Sequence, residues 1–272
     1  MSASDSSIDT TAAEAYEQHA VPGIFLHWAE FVVKVAQPRS GEHVLDVACG
    51  TGVAARVASH HVGPGGRIVG LDFDAGMIEV ARRLTSASLV PTEWHCANAL
   101  AMPFPDASFD LCLCLQGLQF LPDRVAGFAE IHRVLKPTGR LVAGIWGPRE
   151  FNKGQHEIIE ALQRQNVDAS SAKRAFSFHD PADIRATAAR AGFQDIEVRT
   201  EDDVSNYPSM QAFLDAMTLG APFTRRSVAL LPQEGRERFY QEVSAALAPY
   251  IVAGRLAYPM RTHIVAARRE GG

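Results

Sequence analysis

The sequence has little cysteine, no long apolar run, no strong excess of one charge and no internal repeat. Each shortage removes a class of protein. No apolar stretch approaches the roughly 20 residues that cross a bilayer. The opening MSASDSSIDTT is polar and acidic, with neither a basic n-region nor an apolar h-region, so no signal peptide is legible and a cytoplasmic protein is expected. The four cysteines, Cys49, Cys96, Cys112 and Cys114, show no zinc spacing. All four are expected to be small buried hydrophobes in a reducing compartment, with Cys112 and Cys114 sharing one face of a strand through the alternation LCLCL. A formal charge of −5 and a pI near 6.1 argue against nucleic acid or an anionic membrane as the main partner. They leave a small molecule as the expected partner and self-association into a homo-oligomer open. No period of 20–50 residues recurs, which excludes a solenoid.

What is present is ordinary globular material: 272 residues, 47% hydrophobic and 21% charged, enough for one large core with an appendage. Thr11 and Glu14 form a capping-box pattern ahead of a short helix carrying Tyr16 and His19. Pro22-Gly23 is expected to break it, before a longer helix from about Ile24 to Ala36. From His43 strands and helices alternate: HVLDVA, then a helix through VAARVASHHV; RIVGLD, then a helix capped by Asp74; TEWHCA; and FDLCLCLQ, apolar on both faces as a central parallel strand should be. Pro122 suits the first position of a helix ending at Leu135, and RLVAGIW reads as a fifth strand. Such alternation predicts an α/β, doubly wound and mostly parallel sheet. Residues 148–178 read as helical. A further helix opens at Asp180-Pro181 and closes at Gly192, followed by FQDIEVRT as a sixth strand. Residues 207–256 read as helical again, and MRTHIVAARR as a seventh strand. We therefore expect one domain over 1–272, with residues 11–36 as N-terminal helices and 148–178 and 207–256 packed together as a helical cap.

The strongest local signal is VLDVACGTG, Val44 to Gly52. A strand ending in Gly50-Thr51-Gly52 lets a ligand approach backbone and presents helix N-terminal N–H groups. GTGVAA also fits the dinucleotide pattern G-x-G-x-x-A, and Asp72, twenty residues beyond Gly52, suits a ribose diol in either kind of site. Asp46 separates the two. A carboxylate four residues before Gly50 would repel a pyrophosphate and welcome an aminoacyl ammonium group. Ala97-Asn98-Ala99 then places a side-chain amide where an adenine edge could be read, and PFPDASFDLCLCLQGLQFLPD leads into a helix and RVLKPTGRL.

Across roughly residues 42–146 these motifs resemble the class I S-adenosylmethionine-dependent methyltransferases, especially the ubiquinone/menaquinone C-methyltransferase-like group. The resemblance implies a seven-stranded sheet of order 3-2-1-4-5-7-6, the last strand antiparallel, with S-adenosyl-L-methionine at the carboxyl ends of the first strands. It implies that Asp46, with the backbone of Ala48, Gly50 and Gly52, holds the methionine moiety, and that Asp72 accepts both ribose hydroxyls. Phe73 and Met77 would flank the adenine, Asn98 beside Ala99 would read its amino group, and Gln116 would lie near the sulfonium. Two positions depart from the commoner pattern: Ala48 stands for the first glycine of the loop, where ordinary backbone angles are expected, and Asn98 for an aspartate.

The implied reaction is methyl transfer to a small-molecule acceptor, an O or C of a quinone-like or secondary metabolite being favoured and N remaining open. A related fold that binds the cofactor without methylating, and an NAD-type dehydrogenase, are the alternatives. In related enzymes a helix like 11–22 closes as a lid and contributes a tyrosine near the reacting methyl, which makes Tyr16 and His19 the catalytic candidates. His27, His156 and His179 are further candidate bases. No cluster of carboxylates suggests a metal, so metal-free catalysis is expected.

Overall fold

Eight β-strands interleaved with helices make up the computed structural model, which describes residues 8–270; Met1–Ser7, and with them most of the polar opening stretch, lie outside the described residues. The chain starts with α1 (Thr11–Ala15), a π-helical segment (Tyr16–Phe25) and α2 (Leu26–Ala36). There follow β1 (His43–Val47), α3 (Val53–Val62), β2 (Arg67–Asp72), α4 (Ala75–Leu84), β3 (Thr92–Cys96) and β4 (Phe109–Leu115). Next come α5 (Arg124–Val134), β5 (Leu135–Trp146), α6 (Lys153–Arg164), α7 (Ser170–Lys173), α8 (Pro181–Arg190) and β6 (Gln194–Tyr207). The chain closes with α9 (Met210–Asp215), a π turn (Ala216–Gly220), α10 (Pro222–Val228), α11 (Gln233–Leu247), the two-residue β7 (Ile251–Val252) and β8 (Arg255–Arg268).

The strand order is β3-β2-β1-β4-β5-β8-β6, with β7 paired only to β8. The first five strands are parallel, and β8 runs antiparallel to both β5 and β6. Setting the short β7 aside, this is the order 3-2-1-4-5-7-6 that the resemblance implied. The helices cover both faces because the central strands are apolar on both: Leu111 and Leu113 face the side of α2 and α3, Cys112 and Cys114 the side of α5 and α8. The sheet reverses direction of winding between β1 and β4, and there the carboxyl ends of adjacent strands leave a crevice for ligand.

Several boundaries differ from the expectation. Pro22-Gly23 does not break the N-terminal helix; residues 11–36 run on through a π-helical stretch. The wider π turn carries Pro22, whose missing N–H would interrupt an ordinary α register. Thr10, not Thr11, is the N-cap residue, and its hydroxyl donates to Glu14 Oε1 (2.8 Å) instead of capping the backbone. Asp123 rather than Pro122 starts α5, accepting from Ala126 N–H at 2.9 Å, and α5 ends at Val134. Strand β5 begins at Leu135 rather than Arg140. Strand β6 continues past Thr200 to Tyr207, and β8 begins at Arg255, so the two form a long hairpin-like ladder that rises past the sheet's edge. Cys96 is exposed, whereas Cys49, Cys112 and Cys114 are buried.

Above the carboxyl edge, α6 lies against α11 and α10 against α7. A second core fills this layer: Ile24 and Trp28 from the N-terminal helices meet Trp146, Phe213, Met217, Tyr207 and Tyr258. Phe176 belongs to this layer too, but Phe178 packs into the main core against Phe128, and Phe223 stacks on Phe120 at 4.3 Å between ring centres.

Candidate active site

The loop after β1 turns on three residues with left-handed backbone: Ala48 (φ +54), Gly50 (φ +55) and Gly52 (φ +82). Ala48 therefore does not take ordinary angles, and a side chain in that region costs about 1–2 kcal/mol. The glycines serve different ends. A Cβ on Gly52 would lie 2.3 Å from the Trp94 ring, so Gly52 is bare because β3 sends an indole across it. Gly50 faces the crevice, and Tyr16 covers it at ordinary contact distance, about 3.7 Å from where a Cβ would stand.

Two carboxylates flank this loop. Asp46, on β1, is completely buried; Ala55 N–H at the start of α3 donates to its Oδ2 (3.0 Å), and its Oδ1 has no partner. Burial, with the neighbouring Asp72 adding to it, pushes the Asp46 carboxyl up to about 7, against the opposing pull of the Ala55 N–H and Arg56. Asp72, at the end of β2 and 8% exposed, accepts from Gly50 N–H on Oδ2 (2.9 Å) and from Asp74 N–H on Oδ1 (3.0 Å). Burial raises its pKa as well. Each Asp72 oxygen keeps a lone pair beyond its backbone bond.

The π-helical segment is latched over the loop. Glu17 Oε2 accepts from the Thr51 hydroxyl (2.5 Å) and Glu17 Oε1 from Arg56 Nη2 (2.7 Å), while Arg56 Nη1 reaches the Thr51 carbonyl (2.5 Å). Burial lifts the Tyr16 phenol well above its usual range, with Asp72, Glu17 and Asp46 adding to the effect. Tyr16 therefore stays protonated and can donate a hydrogen bond rather than act as a base. His19 sits half-buried on the same segment, outside every hydrogen bond among the described residues.

The remaining candidates divide. Phe73 is 76% exposed at the end of β2, a bare aromatic face beside Asp72. Met77 is buried against Ala13 and Tyr16, so it holds down the N-terminal helix. Asn98 closes an Asx turn, its Oδ1 accepting from Leu100 N–H (2.9 Å) and keeping a second lone pair, with its NH₂ free to donate. Ala99 is buried in the main core beside it. Gln116, at the end of β4, takes left-handed backbone (φ +57) and is buried; its amide donates to Thr262 Oγ1 (3.3 Å). Three of the histidines lie elsewhere: His27 pairs with Asp203 (2.6 Å), His179 Nδ1 bonds the Phe176 carbonyl (2.6 Å), and His156 is on α6. Among the described residues no three His, Cys, Asp or Glu side chains gather as metal ligands.

Sequence reasoning missed Thr51, Arg56, Gln119 and Thr262. Arg56 was the most findable, a lone charge in the small apolar run VAARVA that starts the helix after the glycines. Thr262 sits in a strand whose alternation is regular, and only the fold brings it to Gln116.

Residues 45–143 match the family described as a methyltransferase domain. Over 186 residues the chain is 42% identical to the ubiquinone/menaquinone biosynthesis C-methyltransferase UbiE of Stenotrophomonas maltophilia, which covers 63% of this chain and 74% of that relative. It is 38% identical over 119 residues to the demethylmenaquinone methyltransferase of Listeria monocytogenes, covering 43% of this chain and 50% of the relative. The chain thus spans only about half the length of several curated relatives it matches. Among solved structures, YcgJ of Bacillus subtilis aligns with a TM-score of 0.61 at 17% identity, over 90% of this chain and 100% of that one. Phosphoethanolamine N-methyltransferase 2 of Haemonchus contortus, in complex with S-adenosyl-L-methionine, aligns at 0.60 and 19% identity, over 96% of this chain and 57% of that one. These two share the fold. With its glycine loop, two buried carboxylates and strand order, the chain belongs to the class I S-adenosylmethionine-dependent methyltransferases, within the ubiquinone/menaquinone C-methyltransferase-like group.

Proposed function

We propose that the protein transfers a methyl group from S-adenosylmethionine to carbon or oxygen of a quinol-like small molecule. The observation that carries this reading is Asp46: a fully buried carboxylate with one orphaned oxygen, beside a glycine loop, fits an ammonium group better than anything else. The other residues fit the same cofactor. Asp72 has one lone pair per oxygen for a ribose diol, Phe73 offers an open ring to adenine, and the Asn98 NH₂ can donate to an adenine ring nitrogen. Asn98 Oδ1 keeps a lone pair to accept from the adenine amino group.

When bound, the cofactor supplies an electrophilic methyl on a sulfonium, and the neutral thioether that departs needs no acid. The protein's work is alignment and exclusion of water. Tyr16 and the Glu17–Thr51–Arg56 latch close the loop side, which gives the N-terminal segment the role of a lid. Gln116, pinned by Thr262, presents a polar group at the end of β4 where the acceptor would approach. Tyr16, kept neutral, donates to an acceptor oxygen. His19, three residues further along the same segment, is the proposed base for a quinol proton. The helices of 148–178 and 207–256 cap the acceptor.

The test is calorimetry with S-adenosylhomocysteine, followed by turnover with a demethylated naphthoquinol and mass analysis of the product. Binding with methyl on the ring carbon is expected. Heat from NAD or NADP and none from S-adenosylhomocysteine would overturn the reading.

A further inference from the structure

A cavity of about 490 Å³ opens at the carboxyl edge of β4, between the turn Leu118–Phe120 with the start of α5 and the segment of α7. Its lining includes Gln119, Phe120, Arg124, Lys173 and Arg174, and no acidic residue. Three cations around one cavity are conspicuous in a chain of net charge −5. Lys173 and Arg174 form no ion pair among the described residues, although Asp168 lies near Lys173. The Asp168 oxygens are taken by Ser170, whose N–H (2.8 Å) and hydroxyl (2.9 Å) both donate to them. Arg124 is held in place: its Nη2 donates to the Ser177 hydroxyl (2.8 Å) and its guanidinium lies 4.5 Å over the Phe178 ring, while its Nε is buried without a partner.

The cavity floor leads to the site already described. Gln119 is 1% exposed; its NH₂ donates to the Gln116 carbonyl (2.9 Å) and its Oε1 has no partner. One wall is Phe120, stacked on Phe223. A flat aromatic body would lie along that wall, with a negative group left among the three cations.

We infer that this cavity selects an acceptor bearing an anion, carboxylate or phosphate, on its aromatic body. The inference rests on the methyl-transfer reading, and it names the class of substrate which that reading leaves open. Cations in a lining with no acidic residue discriminate by charge because a neutral analogue leaves them solvated and unchanged, whereas an anion gains several attractions at once.

Three naphthalenes test it by direct fluorescence titration of the protein loaded with S-adenosylhomocysteine, and of the free protein: 1-naphthyl phosphate, 1-naphthoate and 1-naphthol. At least one anion is expected to bind tenfold tighter than naphthol; a preference for phosphate over carboxylate identifies the group. In K173E/R174E that ratio should fall to about one, with a cooperative melt retained because both side chains are exposed. Equal affinity for all three, or a ratio untouched by the double substitution, would overturn the inference. Charge-selective binding without methyl transfer to any acceptor would leave the pocket standing and sink the methyltransferase reading instead.

Discussion

Asp46 should make cofactor binding a proton-releasing event. In the free protein its carboxyl titrates at about 7 because burial outweighs the pull of the Ala55 N–H and of Arg56. At pH 6 it is therefore about nine-tenths protonated, and at pH 8 about one-tenth. An incoming ammonium group supplies the missing counter-charge and returns the carboxyl toward its ordinary range. Binding at pH 6 should then release nearly one proton, and binding at pH 8 almost none from this source. Affinity for S-adenosylhomocysteine should rise about tenfold per pH unit below 7 and flatten above it. The sign for stability is the reverse. A folded-state pKa raised above the ordinary 3.8 of an aspartate contributes stability that is present below the unfolded value and lost as pH rises through about 7. The rise from 3.8 to about 7 bounds the loss at roughly 4 kcal/mol, so the free protein should be less stable at pH 8 than at pH 5. Calorimetry in buffers of different ionisation enthalpy reads the released proton directly. Asp46→Asn should abolish the release, flatten the affinity profile and stabilise the free protein at pH 8. The same proton release in the variant as in the wild type would refute the assignment, because Asp72 or another group would then be the source.

Asp72→Ala removes two charge-assisted contacts of about 1.5–3 kcal/mol each, so affinity for S-adenosylhomocysteine should fall at least about tenfold while the fold survives; an unchanged dissociation constant sinks the ribose role. Gly52→Ala combines left-handed backbone with a clash on Trp94 and should cost about 2–4 kcal/mol, against about 1–2 for Gly50→Ala. Chemical denaturation measures both, and W94A should relieve part of the Gly52→Ala cost. Glu17→Ala opens the latch on Thr51 and Arg56 and should speed S-adenosylhomocysteine dissociation several-fold in stopped flow; an unchanged off-rate would mean the segment is fixed scaffold and no lid. Turnover in excess EDTA should match the untreated enzyme, and rescue by added Mg²⁺ would reveal a metal requirement.

The first five strands were legible because short apolar runs bounded by turn residues and the Asp74 and Asp180 caps are local signals, and the structure keeps them. The errors fall where the fold overrides local chemistry. EDDVSNY lies beyond the expected sixth strand, with Tyr207 inside the expected helical span, yet it continues β6 as a raised strand, because β8 pairs with it residue for residue and only Ser205 and Tyr207 turn into the core. Pro22 reads as a break, yet packing of Gly23 flat against the Tyr207 ring holds the helix through it. Backbone strain left no trace in the sequence at all. Ala48 and Gln116 both adopt left-handed angles, at the ends of β1 and β4, the two adjacent strands that flank the crevice. A Cβ added to Gly117 would lie 2.6 Å from the Ala48 methyl, so the two turns are pressed together. Strain of about 1–3 kcal/mol at each such residue persists only where surrounding structure over-determines it, and here it sets the course of the two loops that border the crevice. Candidate side chains for the site can be named from residue type and spacing. Their aim comes from two strained turns held against each other, which only the assembled sheet creates.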